Sequence, residues 1–409
     1  MAARIFDKPD SDVRPAGQPL IISIDDTSTT PDRYVVIVKR STIISGGTPT
    51  EVAKFYLTPN TEGVAFFDLS PIAESSLEFP TKDGTTVVHK VDDVSVMDQQ
   101  SIWRFIVEVA EYDSGTEGSV DDSDTFFLTN GTEQLSDGLH PSFDDYLWGN
   151  TVGFLTERPV VNDEITITMR SDEQRTISLL AAEGMGRDLT GGDLRYSFKS
   201  KLGATTNVDK AVTFTTDVVT RMRNLPMGWP NIEDFQATVA LADLEWVRIR
   251  ARTSVGIAQG PDVYIYFDDT RGCRNTATQV AWINTKGGWE YLRFDSRAPK
   301  QISVEGKTFR KTIGTYGEAT FSFDAAGAQY DTFAKTGKEQ YTLQENFFDA
   351  NERALLDSLM KSRLVQIRRM DEDVWKPATV LTNSLTIQPA GSQFYNVSLQ
   401  VEIAQDIRC

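Results

Sequence analysis

Histidine and cysteine are scarce in this chain, with two of each among 409 residues. Cys273 and Cys409 lie far apart, and His89 and His140 show no ligand spacing, whereas a structural zinc site takes about four nitrogen or sulfur ligands. Two cysteines in so long a chain also argue against a disulfide framework. We therefore expect a free, buried Cys273, no metal site and no cofactor.

Motifs for catalysis are missing as well. A serine or cysteine nucleophile needs a histidine base, and neither His89 nor His140 accompanies a Gly-x-Ser-x-Gly motif. Gly184 and Gly186 lack the third glycine and the strand-loop-helix context of a phosphate-binding loop, which favours a turn. A carboxylate pair for glycoside cleavage stays open, because its separation is a three-dimensional property. The motifs of the sequence thus support no enzyme class.

Positive charge is under-represented, since 41 Lys and Arg face 59 Asp and Glu and the formal net charge is −18. Nucleic-acid backbones and anionic membrane surfaces attract clustered positive charge, so neither is an expected partner. No stretch reaches the ~18 apolar residues of a membrane span. The first residues lack the apolar core of a secretory signal, so we expect folding in a reducing cytosol.

Short strands dominate what is present. In 102–110, Trp103, Phe105, Val107 and Val109 alternate with Ile102, Arg104, Ile106 and Glu108. Further strands are predicted at 34–39, 52–57, 164–169, 175–180, 194–199, 236–242, 245–250, 262–267, 302–310 and 394–403. Many short strands separated by turn residues are typical of sandwiches and barrels. We predict a mainly β, multidomain protein of immunoglobulin-, fibronectin-III- or jelly-roll-like sandwich modules.

Three domains are expected: an N-terminal sandwich over 1–145, a middle sandwich over 146–270, and a C-terminal β-rich assembly module over 271–409. The last contains one predicted helix at 350–361, which Asp349 and Glu352 can cap. Its apolar stripe is expected to pack in the core and consists of Leu355, Leu356, Leu359 and Met360.

Two segments carry alternative interpretations. Asp121, Asp122 and Asp124 suggest a calcium loop, but the glycine turn and distal glutamate of such a loop are missing, which favours a solvated hairpin. Trp246, Arg248 and Arg250 share one face of a predicted strand. That face either binds a sugar, ligand or partner, or is a half-buried sheet face with snorkelling arginines, which is the commoner case.

Four segments, in order along most of the chain, resemble one family. They are TPNTEGVAFFDLSPI at 58–72; Phe154-Leu155-Thr156 with Pro159; Asn284-x-x-Gly287-Gly288-Trp289, which follows Cys273 and has Lys286 before the double glycine; and the closing helix 350–361, strand 363–369 and terminal strand. Together they resemble tail and tail-hub, baseplate-type virion proteins of tailed bacteriophages, especially crAss-like and other Bacteroidota-infecting phages. The family usually has a small residue where Lys286 stands.

The resemblance implies a non-enzymatic structural subunit of the tail, hub or baseplate, made in the host cytoplasm and located in the virion. It provides no catalytic residues to carry over. The partners that it implies are other virion proteins and further copies of the chain in a homo-oligomeric ring or multimer. The alternative is a host-attachment protein that binds a receptor or glycans through aromatic platforms such as Trp229 and Trp289.

Interface candidates follow from this role. Arg363, Arg368 and Arg369 are predicted to complement the acidic segment 111–124 of a neighbouring copy. Aromatic side chains are enriched at interface centres, and the candidates of this kind are Trp246, Trp282 and Trp289.

Overall fold

The computed structural model describes most of the chain. The residues described are 3–8, 13–17, 19–26, 31–42, 48–76, 88–90, 92, 102–131, 152–182, 193–211, 220–236, 238–253, 256–270, 277–295, 298–310, 315–316, 319–322, 330–345, 350–372, 374–382, 397–403 and 407–408. His140, the junction 138–151 and the glycines at 184 and 186 lie outside these ranges, as do Asp349 and both cysteines.

The N-terminal strands form two sheets around one core. The elements are β1 (Ala3–Asp7), β2 (Val13–Pro15), β3 (Ile21–Asp26), β4 (Arg33–Thr42), β5 (Thr50–Leu57), β6 (Ala65–Asp68), α1 (Ser70–Ser76), β7 (Ile102–Asp113), β8 (Thr116–Glu117) and β9 (Asp122–Thr129). One sheet has the order β1-β3-β6; the other has the order β2-β9-β7-β4-β5, with β8 beside β7. Strand β7 buries its Trp103, Phe105, Val107 and Val109 face, as its alternation predicts.

The middle strands repeat this arrangement with a second core. The elements are β10 (Val152–Phe154), β11 (Glu164–Met169), β12 (Thr176–Ala182), β13 (Asp193–Ser200), β14 (Thr205–Ala211), β15 (Thr220–Pro226), α2 (Trp229–Ile232), β16 (Leu244–Arg252) and β17 (Ala258–Phe267). The sheets are β10-β12-β15 and β11-β17-β16-β13-β14, in which β11 and β17 run parallel. Fully buried side chains such as Ile167, Phe198 and Val263 fill the space between them, each stabilising the fold by about 1.5–3 kcal/mol.

The remaining elements begin with a pair of wholly buried strands. They are β18 (Thr278–Ile283), β19 (Trp289–Phe294), β20 (Lys300–Arg310), β21 (Thr315–Tyr316), β22 (Phe321–Ser322), β23 (Tyr330–Glu345), α3 (Ala350–Lys361), β24 (Val365–Arg369), β25 (Trp375–Val380), β26 (Val397–Ile403) and β27 (Ile407–Arg408). Strands β24, β25, β26, β23 and β20 follow one another in an antiparallel sheet, and β27 also pairs with β23.

The chain divides into two compact units. The first comprises Met1–Arg271, Ala281–Leu292 and Ala350–Arg363; the second comprises Gly272–Val280, Arg293–Asp349 and Leu364–Cys409. The first unit thus contains both sandwich cores, the turn between β18 and β19, and α3. The second contains the sheet from β24 to β20. The three domains proposed from the sequence stay a prediction.

The predicted fold class is confirmed, because the chain is mainly β, with several sheets and few helices. The predicted helix is α3, with Leu355, Leu356 and Leu359 buried. No helix in the part of the chain that the structure describes is long and apolar enough to cross a bilayer.

One predicted strand is wrong. The segment 236–242 forms no strand in its described residues and leads into a 3₁₀ turn at Leu241–Asp243. The side chain of Gln236 explains this, because its Oε1 accepts the backbone N–H groups of Thr238 (2.8 Å) and Val239 (2.7 Å). These donors are then satisfied locally instead of in a strand ladder.

Candidate functional site

The turn between β18 and β19 contains the Asn-x-x-Gly-Gly-aromatic motif. Asn284 organises it, since its Oδ1 accepts the backbone N–H groups of Lys286 (3.0 Å) and Gly288 (2.9 Å). Gly287 has a φ of +90°, which strains any residue with a side chain. The motif is therefore explained locally as the sequence of a tight turn.

The same turn packs against the segment that begins at Phe154. Asn284 Nδ2 donates to the carbonyl of Leu155 (2.9 Å), and Lys286 Nζ donates to that of Thr156 (2.9 Å). A Cβ at Gly288 would overlap the backbone oxygen of Leu155, so only glycine permits this approach. Two motifs separated by about 130 residues, on which the resemblance depends, thus form one structural joint.

A buried carboxylate lies next to this joint. Glu290 is 3% exposed, and its Oε1 accepts the backbone N–H of Glu157 (2.9 Å) and the hydroxyl of Thr156. Its Oε2 lies 3.7 Å from Nε of Arg158, which is also buried. Burial raises the pKa of Glu290, and the Arg158 charge opposes that rise. Because both its oxygens have partners within the chain, Glu290 acts structurally.

His89 is the one histidine that the described residues include. It lies in a 3₁₀ turn at Val88–Lys90, although its sequence context suggests a strand, and it is buried. Its Nδ1 lies 2.8 Å from the hydroxyl of Tyr291, which in turn lies 2.8 Å from Oγ1 of Thr176. The imidazole also packs edge-on against Trp289, with ring centroids 4.6 Å apart. These contacts fit a satisfied core histidine better than a catalytic base.

Two of the three tryptophan candidates lie inside the protein. Trp282 and Trp289 are fully buried, and Nε1 of Trp282 donates to the hydroxyl of Ser358 in α3 (3.1 Å). A side chain that is buried in its own chain offers no area to a partner.

The three arginine candidates have different surroundings. Arg363 is half-exposed and pairs with Glu74. Arg368 is 6% exposed, with Nη1 3.4 Å from Oε1 of Gln279. Arg369 pairs with Asp371 (2.6 Å). Each therefore has an acceptor in its own chain, and complementarity with another copy's acidic segment stays a prediction.

The acidic segment is a strand-turn-strand region. Asp121 and Asp122 accept the backbone N–H groups of Ala3 (3.2 Å) and Ile5 (2.9 Å), and Asp124 pairs with Lys8 (2.5 Å). Within the ranges that the structure describes, no three His, Cys, Asp or Glu side chains form a group that could hold a metal ion. The geometry favours the hairpin interpretation over the calcium loop.

Trp246 lies on the outer face of the five-stranded middle sheet. Its ring packs edge-on against Tyr264 (5.2 Å between centroids), beside Tyr266, which is 38% exposed. Arg248 and Arg250 follow on the same face, and Nε of Arg250 donates to Oδ1 of Asp262 at 2.6 Å. This aromatic patch (Trp246, Tyr264 and Tyr266) is flanked by the partly exposed Arg248 and Arg250, a combination that suits a small polar ligand.

The sequence does not reveal one prominent surface. Strand β20 alternates like a half-buried strand, yet all eleven of its residues are exposed. Ile302 is 54% and Val304 53% exposed. Alternation alone does not distinguish a half-buried strand from an exposed one. It shows which residues share a face, and not whether another element covers that face.

Neither a known protein family nor a curated protein matches the chain.

Proposed function

We propose that this chain is a non-enzymatic structural subunit of a tailed-bacteriophage virion that builds the tail, hub or baseplate through protein contacts. The observation that carries the proposal is the β20–β23 ribbon, defined as Lys300–Arg310 paired with Tyr330–Glu345. A strand pair with exposed apolar side chains adds little to its own core, whereas such surfaces mark protein-protein contacts.

The joint at the β18–β19 turn supports the same role. Its motif residues and the neighbouring Glu290 and His89 are engaged in structural contacts. An assembly subunit needs rigid modules with docking edges, and its partners would be other virion proteins and further copies of itself.

Virion composition tests the proposal. Virions of the phage that encodes the chain, washed in high salt and analysed by quantitative mass spectrometry, are expected to contain several copies of it per particle. Antibody labelling in electron micrographs is expected at the tail. Absence from washed virions, or a gene flanked by metabolic genes in place of portal, tail-tube and fibre genes, would contradict the role.

The aromatic patch supports host attachment as a second candidate. Sugars stack on aromatic faces and hydrogen-bond to flanking charged groups. Trp246 and Tyr264 supply the aromatic faces, and the partly exposed Arg248 and Arg250 supply the charged groups. Trp289 cannot serve as the platform because it is buried, and Trp229 packs edge-on against Phe267 (5.9 Å).

A glycan array distinguishes this candidate. Under host attachment, the chain binds cell-envelope glycans and Trp246→Ala loses that binding. Lys201→Ala is the control, because Lys201 is exposed and lies in a turn. Binding that survives Trp246→Ala, or no binding at all, counts against the candidate.

A further inference from the structure

Strand β20 presents an open sheet edge. Among the residues that the structure describes, it is the last strand of its sheet, with β23 on one side. Such an edge carries a row of unpaired backbone groups and is a template for another strand.

The pairing with β23 shows which backbone groups point outward. The N–H of Thr342 donates to the carbonyl of Pro299 at 3.3 Å. Bonded and non-bonded positions alternate along an antiparallel pair, and the register continues unshifted from Lys300 to Lys307. Positions 301, 303, 305 and 307 therefore bond to β23, and the N–H and C=O groups of Ile302, Val304 and Gly306 point away from it.

Gly306 lies at the middle of this open edge, next to the register shift between Lys307 and Thr308, whose extra residue lies in β23 and not in β20. Its φ is not in the left-handed region, and an added Cβ would meet Thr332 Cγ2 only at an ordinary 3.5 Å. Glycine weakens a strand interior and often marks a close approach of another backbone. A glycine that its own fold does not require fits such an approach from outside.

We propose that β20 pairs antiparallel with β20 of a second copy, around a two-fold axis at Gly306. In this register Glu305 lies opposite the second copy's Lys307, and Lys307 lies opposite the second copy's Glu305. These are non-hydrogen-bonded pairs, in which side chains lie closer together. Ile302 and Val304 lie on the other face.

Charge selects this register over its neighbours. The outward N–H and C=O groups of one strand must face those of the other, so the pairing can shift only by two residues at a time. The adjacent two-fold registers place Glu305 opposite Glu305 or Lys307 opposite Lys307, and like charges directly opposite are destabilising. The register centred on Gly306 pairs opposite charges twice, and this self-complementarity identifies a second copy as the occupant.

Charge reversal tests the register in the full-length chain. Sedimentation velocity and light scattering of the wild type are expected to show a monomer-dimer equilibrium. Glu305→Lys and Lys307→Glu each replace two attractive pairs by repulsive ones and are expected to weaken the dimer on the order of tenfold. The double variant restores both pairs and is expected to recover the dimer. Glu62→Lys, a matched reversal at an exposed turn position far along the chain, is expected to leave the dimer unchanged.

A backbone test is independent of charge. Val304→Pro removes one outward N–H and leaves the bonds to β23 intact, so the monomer is expected to keep its circular dichroism spectrum while the dimer is lost. Hydrogen exchange at Ile302, Val304 and Gly306 is expected to slow as the protein concentration rises.

A wild type that stays monomeric to about 100 µM, well above the micromolar range of weak specific complexes, would overturn the pairing. So would a dimer that is insensitive to both charge reversals, or a double variant whose dimer is as weak as those of the single variants. Amide protection that does not depend on concentration would also overturn it, because the chain would then cover its own edge. The choice of a second copy accords with the proposed function, but the two fail separately. A monomer found in virions overturns only the pairing, and a dimer absent from virions overturns only the virion role.

Discussion

At the residue scale, the acidic side chain of Glu111 in β7 has a pKa above its usual range. Burial is the main cause, followed by the neighbouring Asp26 carboxyl, and together they raise the pKa of Glu111 from 4.5 to about 7. The folded state therefore holds a proton that the unfolded state releases between these two pH values. The extra proton stabilises the folded state at low pH. This contribution to the free energy of unfolding falls as the pH rises through that range and is lost above about pH 7.

This predicts a pH-dependent difference between the wild type and Glu111→Gln. In urea titrations the wild type is expected to lose stability relative to the variant as the pH is raised from about 5 to about 8, because only the wild type can ionise there. Asp113→Asn, in the same strand but exposed, is the control. A stability difference that does not change with pH would contradict the assignment.

Gly288 leads to a second prediction at this scale. In Gly288→Ala the new methyl group would overlap the backbone oxygen of Leu155, so the turn must move. We expect a loss of about 1–3 kcal/mol in the free energy of unfolding, the usual cost of overpacking. Gly118→Ala is the matched control, because its Cβ would come no nearer than 3.4 Å to Glu111. Equal effects of the two changes would show that the close approach is unimportant.

At the scale of the element, α3 depends on one buried face. Leu355, Leu356 and Leu359 are buried, whereas Lys361 is exposed and pairs with Asp357 (2.6 Å). Leu359→Ala is expected to cost about 2–5 kcal/mol by leaving a cavity. Lys361→Ala is expected to cost less than about 0.5 kcal/mol, because exposed i,i+4 pairs contribute little. Chemical denaturation measures both, and similar losses would mean that the helix is not held by its leucines.

Strand β20 shows how an element's role depends on what surrounds it. Its Ile302 and Val304 alternate with polar residues, as core-facing residues of β7 alternate with Arg104 and Glu108, but β7 is covered by a second sheet. The same local pattern therefore yields a core strand in one place and an exposed edge in the other.

At the scale of the whole molecule, the net charge of −18 predicts a dependence on salt. Like charges repel within the folded chain, and salt screens this repulsion. We expect the melting temperature to rise by a few degrees between about 20 mM and about 300 mM sodium chloride, where the Debye length falls several-fold. Differential scanning calorimetry measures this. A melting temperature that falls with salt would mean that ion pairs such as Arg252–Asp193 (2.6 Å) outweigh the repulsion.

The sequence by itself determined the elements whose pattern is local and strong. The alternation in β7 and the leucine stripe of α3 predicted which side chains are buried, because strand and helix periodicity place residues on fixed faces. The strand predicted at 236–242 is wrong. Its composition suits a strand, but the side chain of Gln236 accepts the backbone N–H groups of Thr238 and Val239, which a strand would pair with a neighbour.

Only the tertiary structure decided what those faces and motifs contact. It placed Trp289 in the core beside His89, joined Gly288 to Leu155 across the chain, and left β20 exposed. These outcomes depend on contacts between residues far apart in sequence, and periodicity carries no information about such contacts. Burial of a face is a property of the neighbour that covers it, and the sequence of a strand does not name that neighbour.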